Sequence, residues 1–153
     1  MDTMDAKLLD LLQADATLSA EALAGKLGLS AADCAARIAR LEQDGTIRGR
    51  VTLLDPRKAG AGVTVFVAIT TPEHSQQWLD TFHRTIEGFP EVMDCYRMSG
   101  QVDYLLRVAV EDIDAYDRFY KKLIGSATLK DVSSTFAMEE IKHTTRLPLP
   151  GAD

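Results

Sequence analysis

Along residues 3–44, apolar side chains recur every three or four positions, the period of an amphipathic helix; further on, alternating stretches interleave with helical ones. Met4, Leu8, Leu9, Leu11 and Leu12 share a broad face and predict a helix over residues 3–15, with Asp5 in the first turn where the helix dipole favours an acid. Ala16–Leu18 is a short connection. Ser19 is suited to cap a second helix carrying Leu23 and Leu27, and Gly28 to end it. A third helix over residues 31–44 opens on Ser30-Ala31-Ala32-Asp33, a capping-box-like start with Asp in place of Glu or Gln. Ala35, Ile38 and Leu41 follow on its inner face, Arg37 and Arg40 lie on another, and Gly45 stops it. Short helices joined by Gly28-Leu29-Ser30 make a helix-turn-helix. Ile47, Val51 and Leu53 then alternate with Arg48, Arg50 and Thr52, which predicts a half-buried strand in the place of a wing. Asp55-Pro56 breaks it, and residues 57–62 form a linker.

The second half has a different rhythm. Val63–Ile69 is a β-branched strand, and Ser75–Ile86 is a helix burying Trp78, Leu79, Phe82 and Ile86. Val92–Met98 and Tyr104–Val110 are strands joined by a turn at Ser99–Val102. Ile113–Ile124 is a helix with Tyr116, Phe119, Tyr120 and Leu123 along it, and Asp131–Ile141 is a last strand. The order β-α-β-β-α-β predicts a ferredoxin-like sandwich with one bare sheet face. The expected class is α+β: a winged helix-turn-helix over 1–50, a strand and linker over 51–61, and the sandwich over 62–153. Roughly 90 residues bury only a modest core alone, so this part is expected to dimerise.

Composition changes the picture little, but charge does. The net charge of −6 argues at first against nucleic acid, yet residues 37–58 hold six basic groups against three acidic ones, while residues 61–153 hold nine against fourteen. A protein that touches DNA with one end has this distribution. No apolar run approaches the roughly 18 residues of a membrane span. Met1–Leu12, with Asp2, Asp5 and Asp10 in a helical pattern, lacks the order of a signal peptide, so the protein is expected in the cytoplasm with no membrane partner. Cys34 and Cys95 form no CxxC and no Cys/His ligand spacing. Both fall in apolar-periodic segments and are expected to be reduced and buried; a thiolate sensor at Cys34, one turn from Arg37, is the weaker reading. His74, His83 and His143 share no ligand spacing, and His74 and His83 are expected at the surface.

Leu27-Gly28-Leu29-Ser30, Cys34, Arg37, Arg40-Leu41-Glu42, Gly45 and Ile47, then Met98-Ser99-Gly100-Gln101-Val102-Asp103-Tyr104-Leu105-Leu106, and Met138-Glu139-Glu140 occur in an order and spacing that resembles the Lrp/AsnC family of feast/famine transcription regulators. The likeness covers about residues 4–148. Ser133–Glu139, Thr144-Thr145, Leu147-Pro148 and Leu53–Pro56 are similar, more narrowly, to the branch of cysteine-responsive detoxification regulators. The resemblance implies a RAM/ACT-like second domain and a helix over 31–44 that enters the major groove of double-stranded DNA, with Ser30, Ala32, Asp33, Arg37, Arg40 and Arg50 as contacts. It implies no metal or cofactor but an amino-acid effector between adjacent dimers, near the hairpin turn. Met98, Ser99, Gly100, Gln101 and Asp103 would line one side of that pocket, and Ile113, Thr135, Phe136 and Ala137 the other. Asp103 or free carbonyls would accept from an ammonium, and turn N–H groups would hold a carboxylate. Arg97 would grip the carboxylate too, or else pair with Asp94 or Glu91. A homodimer assembling into a tetramer or octamer follows from the same likeness.

The chain has no nucleophile–base pair, no carboxylates at a set spacing, no phosphate-binding Gly loop and no metal cluster, so an enzyme on a ferredoxin-like fold is the more distant alternative. An architectural, nucleoid-type DNA-binding protein without effector response is the nearer one.

Overall fold

Asp2 and Asp5 start the first helix by satisfying each other. The Asp2 carboxylate accepts from the Asp5 N–H at 2.7 Å, and the Asp5 carboxylate accepts from the Asp2 N–H at 2.9 Å. This box pairs donors that a helix start leaves orphaned, and α1 (Thr3–Ala14) follows. The computed structural model describes residues 1–72 and 75–152. In it α2 (Ala20–Leu27) is capped by Ser19 and ends at Gly28, whose φ of 67° favours glycine; α3 (Ala31–Gln43) is capped by Ser30. Leu8, Leu9, Leu12, Leu23, Ala24, Cys34 and Leu41 pack between these helices. Each fully buried Leu contributes about 1.5–3 kcal/mol by leaving water. The inner face of α3 is Cys34, Ile38 and Leu41, whereas Ala35 is exposed. Alanine carries too little hydrophobicity to set the phase of a helix by itself.

The wing strand expected over 46–54 is absent among the described residues. A strand is half of a ladder, and no described segment of this chain pairs with these residues. Ile47 packs against the helical core, while Val51, Leu53 and Leu54 stay outside, with Val51 81% exposed. Asp55 and Pro56 open a tight turn instead, closed by Ala59 N–H to Asp55 O at 2.9 Å and Ala61 N–H to Pro56 O at 2.8 Å.

The end of the chain also departs from expectation. One compact unit holds Met1–Thr52 together with the segment from Ile141 onward, and the other is Leu53–Glu140. Arg146 grips Asp10 through Nε at 2.9 Å, and Gln13 pairs with both backbone groups of Leu147, accepting its N–H at 2.7 Å and donating to its carbonyl at 3.1 Å. Leu149 packs against the first core. The boundary of 62–153 drawn from sequence therefore differs from the packing at its far end.

The second unit has the predicted order, with β1 (Val63–Thr70), α4 (Gln76–Glu87), β2 (Val92–Arg97), β3 (Tyr104–Val110), α5 (Ile113–Ser126) and β4 (Asp131–Phe136). The sheet order is β2-β3-β1-β4 with antiparallel neighbours throughout. Val65, Val67, Ile69, Tyr104, Leu106 and Val108 face the helices, where Trp78, Phe82, Phe119 and Leu123 cover them. β4 stops at Phe136 rather than Ile141 because its partner runs out: Ala137 N–H reaches Thr64 O at 2.9 Å, and β1 begins at Val63. The other sheet face, with Phe66, Leu105, Arg107 and Tyr96, carries no helix among the described residues.

Candidate nucleic-acid interface and ligand corner

At the start of α3, the Ser30 hydroxyl accepts from the Asp33 N–H at 3.0 Å and donates to the Asp33 carboxylate at 2.6 Å. Cys34 and Leu41 fix the inner face, so Ala32, Ala35, Ala36 and Ala39 are left outward and exposed. Cys34 is fully buried, as expected of a structural thiol. Arg37 Nη1 donates to Asp2 at 2.7 Å and to Asp5 at 2.6 Å, and Arg40 Nη2 donates to Asp5 at 2.7 Å. Burial works against the charge on Asp5. The Asp2 backbone N–H, Arg40 and Arg37 outweigh it and hold the carboxyl well below the usual range. The bonds to Asp2 and Asp5 in turn raise Arg37 above its ordinary value. A depression of about 770 Å³ beside this network is walled by Asp2, Asp5, Asp33, Arg37 and Arg40, three acids against two bases rather than a phosphate cradle.

Arg50 pairs with Glu42 at 2.7 Å. Arg48 is exposed and makes no ion pair among the described residues, a free cation that the contact set had left out. Alternation puts Arg48 and Arg50 on one side of the segment; what separates them is the reach of Glu42, which the linear pattern does not carry.

In the second unit, Met98–Asp103 joins β2 to β3. Met98 N–H donates to Asp103 O at 2.8 Å, and Asp103 N–H to Ile69 O at 2.9 Å. The Asp103 carboxylate accepts from Thr71 N–H at 2.8 Å, so it ties the turn to the end of β1. Gly100 has φ 131°, which a side chain would strain. Arg97 is exposed, opposite Tyr104 on the helix side of the sheet, and makes no ion pair among the described residues. Its candidate partner Asp94 is taken by Arg107 at 2.5 Å. Cys95 is exposed rather than buried, because β2 is an edge strand, and desolvation by its neighbours still pushes its thiol up, away from a reactive thiolate. His83 and His143 are exposed, and His74 lies outside the described residues.

Ile113 opens α5, Thr135 and Phe136 end β4, and Ala137 follows. Phe136 meets Tyr116 edge-on with ring centroids 5.1 Å apart, and the Tyr116 hydroxyl is hydrogen-bonded to Ser134. Ile113, Tyr116, Asp117, Tyr120, Val132 and Ser134 line an open depression of about 330 Å³. Sequence reasoning missed its polar members: Tyr116 stood only as one of the residues along the predicted helix, and Ser134 was indistinguishable from its neighbours. The structure does not bring the two sets of expected ligand residues together. β2 and β4 are opposite edges of the sheet, and the register sets Arg97 against Tyr104 at one end and Phe136 against Val65 at the other. Strand spacing separates them by roughly 14 Å across the sheet, and about four residues of strand, from Val65 to Ile69, add roughly 13 Å along it.

Among the described residues no His, Cys, Asp and Glu cluster could hold a metal, and no helix is long and apolar enough to cross a membrane. Residues 1–42 match the model of the AsnC-type helix-turn-helix domain, and residues 64–147 match the Lrp/AsnC ligand binding domain. The chain is 55% identical over 150 residues to the glutamate uptake regulatory protein of Zymomonas mobilis, covering 98% of this chain and 92% of that protein. It is 50% identical to the DNA-binding transcriptional activator DecR of Escherichia coli, over 97% and 99% of the two chains. Among solved structures, an AsnC family transcriptional regulator from Agrobacterium tumefaciens superposes with a TM-score of 0.94 at 56% identity, over 97% of each chain. A transcriptional regulator from Neisseria meningitidis, solved as its L-Met complex, gives 0.91 at 31% identity, over 98% of this chain and 97% of that one.

Proposed function

This chain belongs to the Lrp/AsnC family of DNA-binding transcriptional regulators, and from that premise we propose where it meets DNA and how a small molecule controls it. Ser30, Ala32 and Asp33 at the start of α3 approach the base edges, Arg37 and Arg40 meet phosphate or guanine, and Arg48 joins Arg50 along the backbone. The outward alanines of α3 make direct readout sparse, so sequence preference leans on DNA shape and bending. The protein works in the cytoplasm, on double-stranded DNA.

The effector is a free amino acid. Arg97 and the N–H groups of Ser99, Gly100 and Gln101 take its carboxylate, and carbonyl and carboxylate oxygens around Asp103 take its ammonium, with Met98 beside them. Ile113, Thr135, Phe136 and Ala137 of another protomer close the site. The observation that carries this reading is the diagonal separation of the two sets across one sheet, which a second copy removes. The bare sheet face is the dimer contact, and dimers assemble into a tetramer or octamer. Cysteine is the effector we assign first, on the likeness of residues 133–139 and 144–148; methionine, bound in the Neisseria structure, is the natural comparison.

Fluorescence anisotropy tests this on the DNA upstream of the protein's own gene against scrambled DNA, with single amino acids added. Selective binding that cysteine shifts is the expected result, and Arg97→Met should lose the shift while keeping the DNA affinity. A shift by another amino acid replaces the effector, and no binding at low salt, where phosphate contacts are strongest, overturns the DNA reading. The alanine face favours one second reading, an architectural protein. It would show nearly equal affinity for both DNAs and no response to any amino acid.

A further inference from the structure

The arginines assigned to DNA are already engaged in the free protein. One buried carboxylate, Asp5, binds Arg37 at 2.6 Å and Arg40 at 2.7 Å, and Asp2 adds a second hold on Arg37 at 2.7 Å. Arg37 spends Nη1 on both aspartates, and its side chain is only 28% exposed. Both guanidiniums are tied to acids at the start of α1. Asp33 lines the same depression and Asp44 lies 3.7 Å from Arg40, so the acids around these two arginines leave the patch no surplus positive charge to draw phosphate.

We propose that Asp2 and Asp5 form a charge lock on the recognition helix, occupying Arg37 and Arg40 in competition with DNA phosphate and thereby setting the preference for specific over random DNA. The proposal rests on the DNA-binding reading above. A carboxylate and a phosphate oxygen present similar acceptors to a guanidinium, so phosphate can replace the aspartates one hydrogen bond for another. Random DNA would have to separate these pairs with one misplaced phosphate at a time. A site whose bend carries phosphates to both guanidiniums recovers what the separation costs. A buried acid is expensive to keep, and removing it would strand two arginines. Asp2 is the accessible half of the lock, 56% exposed, while Asp5, 2% exposed, is its anchor. Asp2 and Asp5 are positioning residues in this scheme, since neither touches DNA.

The test is Asp2→Asn, because Asn caps a helix as well as Asp and removes only the charge. Wild type, Asp2→Asn, Arg37→Ala and the double variant are titrated by anisotropy against upstream and scrambled DNA at several salt concentrations. In Asp2→Asn, affinity for scrambled DNA should rise roughly two- to tenfold and the salt slope should steepen by about one, as a freed cation meets one more phosphate. Affinity for the upstream site should rise less, so the ratio of the two falls. In the Arg37→Ala background the same substitution should change little, which a merely structural cap would not predict. Weaker binding to both DNAs with a shallower slope would mean that the aspartates orient the arginines for DNA, and overturns the lock. So does no change, or a gain that survives Arg37→Ala. If the thermal melt shows that Asp2→Asn unfolds, Asp2→Ser, another good cap, repeats the comparison. Failure of wild type to prefer upstream DNA would instead sink the DNA reading itself, before any variant is compared.

Discussion

Asp5 is an ionised acid with almost no contact with solvent, and that makes acid stability a residue-scale test. Its carboxyl is held below the ordinary range in the folded chain, so it stabilises the fold at pH values above about 3.9, its unfolded value. That contribution is lost as pH falls through the lower folded value. Asp5→Asn should therefore lower the melting temperature at pH 7, and the gap from wild type should shrink as both are melted at successively lower pH below about 4. A gap that stays constant into acid would mean that shape, and not charge, is what Asp5 supplies. Leu41 is fully buried on the inner face of α3. Leu41→Ala should cost about 2–5 kcal/mol in denaturant titration, through lost burial and a cavity among Leu8, Leu23 and Cys34.

At the scale of elements, the chain after β4 behaves as part of the helical unit. Gln13 on α1 mimics a neighbouring strand for one residue, taking both backbone groups of Leu147. Gln13→Ala should speed hydrogen exchange at the Leu147 amide by roughly fivefold, the worth of one ordinary hydrogen bond. Unchanged protection would show that Leu149 and Arg146 hold the segment without it. β2 makes the complementary point. As an edge strand it leaves Cys95 and Arg97 exposed, although both point to the helix side of the sheet.

On the scale of the whole molecule, two features of one chain are incomplete. Phe66 and Tyr96 stand on a bare sheet face, 40% and 56% exposed. The alternating segment 47–54 has strand sequence and no strand partner among the described residues. The proposed dimer through the sheet face would answer the first. Phe66→Asp should weaken self-association roughly thirtyfold or more in sedimentation equilibrium, as expected when a central aromatic anchor is replaced by a charge. Variant and wild type sedimenting alike would place the contact elsewhere.

Local order was legible because local rules wrote it. The caps at Ser19 and Ser30, the left-handed stop at Gly28 and the period-two runs at Val63–Ile69 and Tyr104–Val110 each follow from side-chain chemistry within a few residues, and from them came the β-α-β-β-α-β order and the family likeness. The turn at Ser99–Gln101 and the basic stretch around α3 were legible for the same reason. Pairing across distance was not. That Arg37 and Arg40 meet acids 32 to 35 residues earlier, that Glu42 claims Arg50 while Arg48 makes no ion pair among the described residues, and that Asp94 belongs to Arg107 all depend on which elements pack side by side. The strand pattern at 47–54 misled because alternation records a tendency to pair, while a strand needs a partner. The sequence by itself determined the elements, their order and the residue types available for chemistry. Only the tertiary structure decided which charges are paired, and that the two sets of expected ligand residues of one chain lie too far apart to form one site, because each depends on neighbours that packing, and not chain order, brings together.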